Sequence, residues 1–356
     1  MPHRILIFGA SYGSLLATKL ALAGYDVDML CLPNEADAIN SEGTIVRLPV
    51  RTATGAEHAE IRSHTLKGRV AAVTAENCDP LAYDLIGLAM QEPQYGAPAI
   101  RKLLGEAAQG RKPCISVMNK PPLPYLARIP GLDVNKLRHC YTHPEVWDTF
   151  DPAYLTLCSP DPQAFRPPNE KPNVLQVTLP TNFKAARFDS DELTAMLRGI
   201  GESVEAVRYP HNGKEIELAV KLKVHDSIFV PLAKWAMLLT GNSRCVQKDG
   251  PRSIRDAVYT DIEQSRMIYE WVQTVCVTAG AAPEDMVPFE KYARAAAGLT
   301  KPSSAARALF AGAPHIERVD LIVQGIAAQV GLKSSLVDET VDLVSSRLEL
   351  NRRKAA

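Results

Sequence analysis

Residues Arg4–Leu30 read RILIFGASYGSLLATKLALAGYDVDML. Arg4–Phe8 is a short run of branched apolar residues and reads as a buried strand. Ser14–Ala23 carries apolar residues at helical spacing and stops at Gly24. Asp26–Leu30 reads as a second strand. A strand, a glycine-bearing turn, a helix and a strand open a dinucleotide-binding unit, in which glycines let the backbone approach a pyrophosphate at the helix N-terminus. The usual spacing is GxGxxG. Here Gly9 and Gly13 are present, Ser11 takes the middle glycine position, and the loop is one residue short. Gly9, Ala10, Ser11, Tyr12, Gly13 and Ser14 are the candidate nucleotide contacts, Ser14 through its hydroxyl and backbone N–H.

Gly9–Gly13 also spells GxSxG, the nucleophile elbow of α/β-hydrolases, but several strands precede that serine in the hydrolase fold and only one can precede Ser11. At the end of the second strand an acid would bind the ribose hydroxyls of NAD, and an arginine would favour the extra phosphate of NADP. Cys31 stands there, followed by Leu32-Pro33-Asn34-Glu35, so neither signal is present. Arg47 and Arg51 read as a solvated basic edge.

Further strand candidates are Val70–Val73, Asp84–Ala89, Cys114–Met118 and Leu175–Leu179; Ala99–Gln109 and Asp191–Gly199 read as helices. This alternation predicts a parallel, doubly wound sheet. The proline-rich stretch Ser159–Asn173 reads as a surface loop. After Pro210 the strand pattern stops, and Lys214–Leu239, Ser253–Ala279, Pro288–Ala297, Ser304–Phe310, Ile316–Val330 and Leu336–Leu350 fit helices. The expected division is a dinucleotide-binding domain over 1–209 and an all-helical domain over 210–356.

The 356 residues carry 40 Lys+Arg against 40 Asp+Glu, which argues against a nucleic-acid or polybasic membrane-surface protein. No apolar run reaches the ~20 residues of a membrane-spanning helix, and Ile5–Gly9 runs straight into a turn rather than a signal-peptide core. The seven cysteines are scattered with no CxxC pair, which suits a reducing cytoplasm. His139 and His143, with Cys140 between them, invite a metal at a helical spacing, but Tyr141-Thr142 and Pro144 suggest a strand or loop and no ligand beyond this pair is evident, so none is expected.

The opening unit with its Ala23–Val27 end resembles the ketopantoate reductase family. Ser116-Val117-Met118-Asn119 is similar to that family's strand ending in asparagine, and Glu217–Leu222 to its helix presenting a catalytic lysine. Pro302-Ser303-Ser304, followed by Gly312, Pro314, Glu317 and Asp320, resembles its late serine-and-glutamate motif. The resemblance implies a Rossmann-type α/β domain followed by an all-helical domain of the 6-phosphogluconate dehydrogenase C-terminal-like kind, with the active site in the cleft between them. It implies that Lys221 donates a proton to the substrate oxygen as hydride arrives. Asn119 would lie at the mouth of the nucleotide site, and Glu317 with Ser303 or Ser304 would hold the substrate or the lysine. A partly buried lysine with a lowered pKa is suited to that task.

The departures lie where substrate would be contacted. His225 and Phe229 replace two family asparagines, Lys120 replaces the glycine after Asn119, and the lysine expected after Asp84–Gly87 is missing. His225, one helical turn from Lys221 if this segment is helical, is a candidate substrate ligand or a structural histidine. Gln91, Glu92 and Gln94 follow a strand's C-terminal end, where open α/β sheets bind ligands. The expectation is a cytoplasmic NAD(P)-dependent oxidoreductase, using NADP or NAD, that acts on a small carboxylate-bearing carbonyl compound other than ketopantoate. An opine-type dehydrogenase and a non-catalytic nucleotide sensor are the alternatives. The apolar helices of the second half leave a homodimer face open.

Overall fold

Ile5, Leu6, Ile7 and Phe8 are each at most 1% exposed, as expected of a strand covered on both faces. They form the middle of a sheet in the computed structural model, which describes residues 3–52 and 55–355. The strands are β1 (Arg4–Phe8), β2 (Asp26–Leu30), β3 (Ile45–Thr52), β4 (Gly55–Arg62), β5 (Val70–Val73), β6 (Leu85–Leu88) and β7 (Cys114–Val117). They continue with β8 (Leu155–Ser159), β9 (Gln163–Phe165), β10 (Val174–Leu179), β11 (Phe183–Ala186), β12 (Arg208–His211), β13 (Lys214–Glu217) and β14 (Leu222–His225). The helices are α1 (Ala10–Leu22), α2 (Pro33–Glu42), α3 (Pro98–Gln109), α4 (Leu123–Leu126), α5 (Asp191–Ala206) and α6 (Lys234–Met237). After these come α7 (Ile254–Tyr259), α8 (Ile262–Thr278), α9 (Phe289–Ala296), α10 (Ser304–Phe310), α11 (Val319–Gln329) and α12 (Ser335–Ala355).

Two compact units result. One comprises residues 1–90, 94–118 and 146–226; the other comprises 91–93, 119–145 and 227–356. In the first, an eight-stranded sheet has the order β14-β11-β8-β7-β6-β1-β2-β5. From β5 to β8 all neighbours are parallel; β11 runs against β8, and β14 is parallel to β11. Strand order therefore reverses between β2 and β6 on either side of β1, the switch point at which such sheets bind ligands. A second sheet, β4-β3-β10-β9, and the hairpin β12–β13 complete the unit. The two larger sheets share one core with α1 and α5: Leu16, Leu20, Val46, Leu48, Leu175, Leu197 and Ile200 are all buried in it. The second unit is helical apart from a single bridge between Val246 and Pro251 among the described residues.

Three expectations are corrected. Lys214–Leu239 is not one helix. Asn212 and Gly213 both have positive φ (50° and 75°) and join β12 to β13 through a two-residue turn, the geometry Asn-Gly favours. Leu222-Lys223-Val224-His225 then alternates with strand period and pairs with β11. The first unit thus extends to Asp226, past the expected boundary at 209, while residues 119–145 fall in the second. The stretch 159–173 is not all loop, since Gln163–Phe165 forms β9 against β10. Ser253–Ala279 is two helices, broken where Asp261 caps α8 by accepting from the Gln264 N–H.

Helix α5 tests the placement of β14. A Cβ on Gly201 would lie 2.7 Å from the Leu222 carbonyl oxygen, whereas one on Gly199 would meet nothing within 4 Å. Gly199→Ala is expected to stabilise the protein by about 0.5–1 kcal/mol, through helix propensity alone. Gly201→Ala is expected to lower the thermal midpoint by forcing helix and strand apart. Paired melting curves check both; equal effects would contradict this packing.

Candidate active site

The first unit carries the candidate nucleotide-binding turn. Gly9 sits between β1 and α1 with φ 99°, and a Cβ there would lie 2.7 Å from Met90 Cγ and 3.1 Å from the Ala89 carbonyl oxygen. Only glycine fits that backbone. A Cβ on Gly13 would reach 2.6 Å from Ile7 Cγ2, so this glycine seats α1 against β1. No side chain caps the start of α1, and its first turn holds no acidic residue. Its leading N–H groups are thus orphaned donors at the positive end of a 13-residue helix, at the sheet's switch point, and these features fit a pyrophosphate.

The neighbouring candidates are more committed. Ser14 donates its hydroxyl to the Ser11 carbonyl at 2.9 Å, and Tyr12 donates to the Pro162 carbonyl at 2.7 Å. Ala10 is buried. Cys31, half-buried after β2, has its thiol pushed up to about 12 by burial, then by the Glu35 carboxylate, against the opposing Arg166. Glu35 caps the start of α2 and is ion-paired with Arg166 from beyond β9. Arg47 is occupied by Glu60 at 3.1 Å and Glu170 at 2.7 Å; the Arg51 side chain lies outside the described part.

Lys221 does not have the expected setting. It precedes strand β14 rather than lying on a helix, and its ammonium is held by Glu217 and, at 3.0 Å, by Glu205. These two carboxylates raise its pKa, the opposite of the lowering expected. His225 ends the same strand, so the two residues are about 13 Å apart along it rather than one helical turn. Nearby strain is visible. Val220 is buried with φ 68°, in a loop clamped by buried Lys19, which donates to the Leu218 and Ala219 carbonyls at 3.5 and 3.1 Å.

In the second unit, Glu317 is joined by Glu92, expected near the site from its place after a strand, and by Lys120, expected there as a departure from the family. What sequence reasoning missed is that the two pair. Lys120 and Glu92 have fully buried side chains and form an ion pair at 2.8 Å. Lys120 also donates to the Cys140 carbonyl at 2.6 Å and lies 4.1 Å from the centre of the Tyr141 ring. The other oxygen of Glu92 accepts from the Thr142 N–H at 3.0 Å and the His143 N–H at 3.4 Å. The backbone N–H of Glu92 donates to Glu317 Oε1 at 3.4 Å, and the Asn119 side chain donates to the same carboxyl. Asn119 Oδ1 is buried with no hydrogen-bond partner among the described residues, and its carbonyl accepts from Trp235 Nε1 at 3.4 Å.

Burial pushes Glu317 up from the ordinary 4.5 to about 7, with the Lys120 ammonium the main opposing influence. Burial pulls Lys120 down, and Glu92 resists it. A carboxyl near 7 is poised to give or take a proton at neutral pH. Of the other candidates, Ser303 is committed as the N-cap of α10, accepting from the Ala306 N–H at 3.1 Å and donating to the Asn242 carbonyl at 2.9 Å. Ser304 is exposed at the start of that helix, and Gln91 is exposed beside Glu92. Among the described residues no cluster of three or more His, Cys, Asp or Glu could hold a metal, and no helix is long and apolar enough to cross a membrane.

The raised Glu317 carboxyl predicts a pH signature. With its folded pKa above the unfolded value, its stabilising contribution is fully present below about 4.5 and is lost as pH rises through about 7. Glu317→Gln, which cannot ionise, is expected to gain thermal midpoint relative to the parent between pH 5 and pH 8, with no further gain above. A difference independent of pH would mean the carboxyl is not shifted.

No family model and no curated protein matches the chain. Solved structures do. The 2-dehydropantoate 2-reductase from Methylococcus capsulatus aligns over 98% of this chain and 97% of its own, with TM-score 0.62 at 15% identity. The dimeric ketopantoate reductase from Staphylococcus aureus aligns over 98% and 99%, with TM-score 0.60 at 12% identity. D-mandelate dehydrogenase, in a ternary structure with NADH and anilino(oxo)acetate, aligns over 98% and 99%, with TM-score 0.64 at 12% identity. The chain therefore has the fold of the ketopantoate reductases, a Rossmann-type α/β unit and a helical unit.

Proposed function

We propose that this protein is a nicotinamide-dependent oxidoreductase that interconverts a carbonyl and an alcohol on a small carboxylate-bearing compound. The observation that carries the proposal is Glu317, a carboxyl near neutrality held between Asn119 and the buried Lys120–Glu92 pair. The uncapped glycine turn of the first unit supports a dinucleotide, with Gly9 and the first N–H groups of α1 facing its pyrophosphate. A bound dihydronicotinamide would supply the hydride that the carbonyl carbon accepts. The solved D-mandelate dehydrogenase with NADH and a 2-oxo acid derivative favours a 2-oxo acid as the substrate class. Lys120, standing where the resemblance to the ketopantoate reductases expects a glycine, favours a substrate other than ketopantoate.

The proton is assigned to Glu317. Its protonated carboxyl gives a proton to the developing alkoxide during reduction, and its carboxylate takes one back during oxidation. Asn119 orients that carboxyl through its donated hydrogen bond. Lys120 is a positioning residue. Its positive charge keeps the Glu317 pKa from rising further, and its bonds to Glu92 and the Cys140 carbonyl hold the surrounding loops. Lys221, already bound by two carboxylates, has no proton-transfer role in this proposal. A homodimer is proposed on the likeness to the dimeric Staphylococcus aureus enzyme.

Turnover of a panel of 2-oxo acids with NADPH or NADH tests the proposal. Glu317→Gln is expected to reduce kcat by about 10²–10⁴-fold while leaving dinucleotide affinity within about twofold. For the parent protein, kcat/KM for reduction is expected to fall as pH rises through about 7, because the acid is lost. Nucleotide binding without turnover of any substrate in the panel would point instead to a sensor.

A further inference from the structure

We propose that Arg352, His315 and His143 together hold the carboxylate of the substrate and set its carbonyl beside Glu317. The inference deepens the oxidoreductase proposal and rests on it. A 2-oxo acid brings a negative charge bonded directly to its carbonyl carbon, so a proton donor for the carbonyl oxygen needs a basic group as its neighbour. Lys120 does not serve, because its side chain is fully buried and its ammonium is spent on Glu92 and the Cys140 carbonyl. The basic groups that reach solvent come from three other stretches.

Arg352, near the end of α12, donates from Nε to the Pro314 carbonyl at 3.0 Å, which places it against the residue before His315. His315 stands two residues before Glu317. His143 donates its backbone N–H to Glu92 Oε1 at 3.4 Å, and the Glu92 N–H in turn donates to Glu317 Oε1 at 3.4 Å. His315 lies within electrostatic reach of Arg352, His143 and Glu92 at once. Partial burial, then those two basic neighbours, pull its pKa down, and Glu92 resists. All three side chains keep donors to spare. The Arg352 terminal nitrogens and the His315 ring have no hydrogen bond or ion pair among the described residues, and both side chains are exposed. His143 meets one carboxylate, with Nδ1 3.6 Å from Glu145 Oε1, and keeps 39% exposure. Three basic groups gathered around a single surface carboxylate favour a bound anion. A guanidinium fork takes both oxygens of a carboxylate, and an imidazole N–H beside it adds a further donor. Glu317 itself is half-buried rather than sealed.

Binding and turnover test this together. Anilino(oxo)acetate, an acid whose oxo group is an amide that hydride does not reduce, and its uncharged primary amide are titrated calorimetrically with NADPH present. The proteins are the parent, Arg352→Gln and His315→Gln, and each is also assayed on the panel of 2-oxo acids. The parent is expected to bind the acid at least tenfold tighter than the amide, as one charge-assisted contact allows. Arg352→Gln is expected to weaken the acid about 10–100-fold and to raise KM for 2-oxo acids by a similar factor, with kcat within about threefold. His315→Gln, which keeps a donor but carries no charge, is expected to cost about 3–10-fold in the same two quantities. If the parent turns over 2-oxo acids and both variants match it in KM and in affinity for the acid, the inference is overturned while the oxidoreductase proposal stands. A fall in kcat with KM intact overturns it as well, since the residues would then act on the chemistry and not on the carboxylate. Binding of the acid that Arg352→Gln weakens, with no turnover in the panel, would keep the carboxylate site and remove the oxidoreductase. If the acid does not bind and nothing is turned over, both fall.

Discussion

The ion pair between Lys120 and Glu92 is the constraint on which the second unit's site depends. Neither side chain touches water, and such a pair is kept only where geometry and further hydrogen bonds compensate for desolvation. Compensation is present on both sides. The lysine has the Cys140 carbonyl and the face of Tyr141, and the glutamate has the N–H groups of Thr142 and His143. Three separate stretches, around residues 92, 120 and 140–143, are thereby drawn to one point. Glu317 is the fourth. It accepts from the Glu92 N–H, which tethers a carboxyl at this charged but dry cluster, and burial there lifts its pKa towards neutrality against the pull of Lys120 and of that hydrogen bond.

The first unit solves a different problem, bringing backbone close to backbone. Gly9 lets the β1–α1 turn press on the residues after β6, and Gly13 lets α1 lie against β1. A buried lysine appears here too. Lys19, lowered to about 8 chiefly by burial, spends its charge on the carbonyls of the strained loop before Val220. The two buried lysines contrast. Lys19 faces carbonyl oxygens, while Lys120 faces a carboxylate and lies within electrostatic reach of a second. The latter charge limits how far burial raises the Glu317 carboxyl.

Much of the fold was legible locally. The apolar runs of β1, β2 and β5 to β7, the helices α1, α3 and α9 to α12, and the glycine turn all lie where period and punctuation place them. The stretch from Lys214 to His225 reads as helical, yet it follows an Asn-Gly turn and carries period-two alternation. The lysines and glutamates around Lys221 imitate a charged helix face. What settles them as strand is pairing with β11, a partner some forty residues earlier in the chain.

The sequence by itself determined the local signals of the fold: a glycine turn between strand and helix, an asparagine after a later strand, and a late glutamate. Those signals are short in range, since a turn or helix depends on neighbours within a few residues. The tertiary structure alone decided which charged groups meet. Lys120 and Glu92 are 28 residues apart, Glu92 and Glu317 are 225 apart, and Arg166 and Glu35 are 131 apart. Whether a lysine is a part-exposed group held by two carboxylates like Lys221 or a fully buried one like Lys120 depends on desolvation and partner charge. Both are properties of the folded surroundings, and no spacing along the chain encodes them.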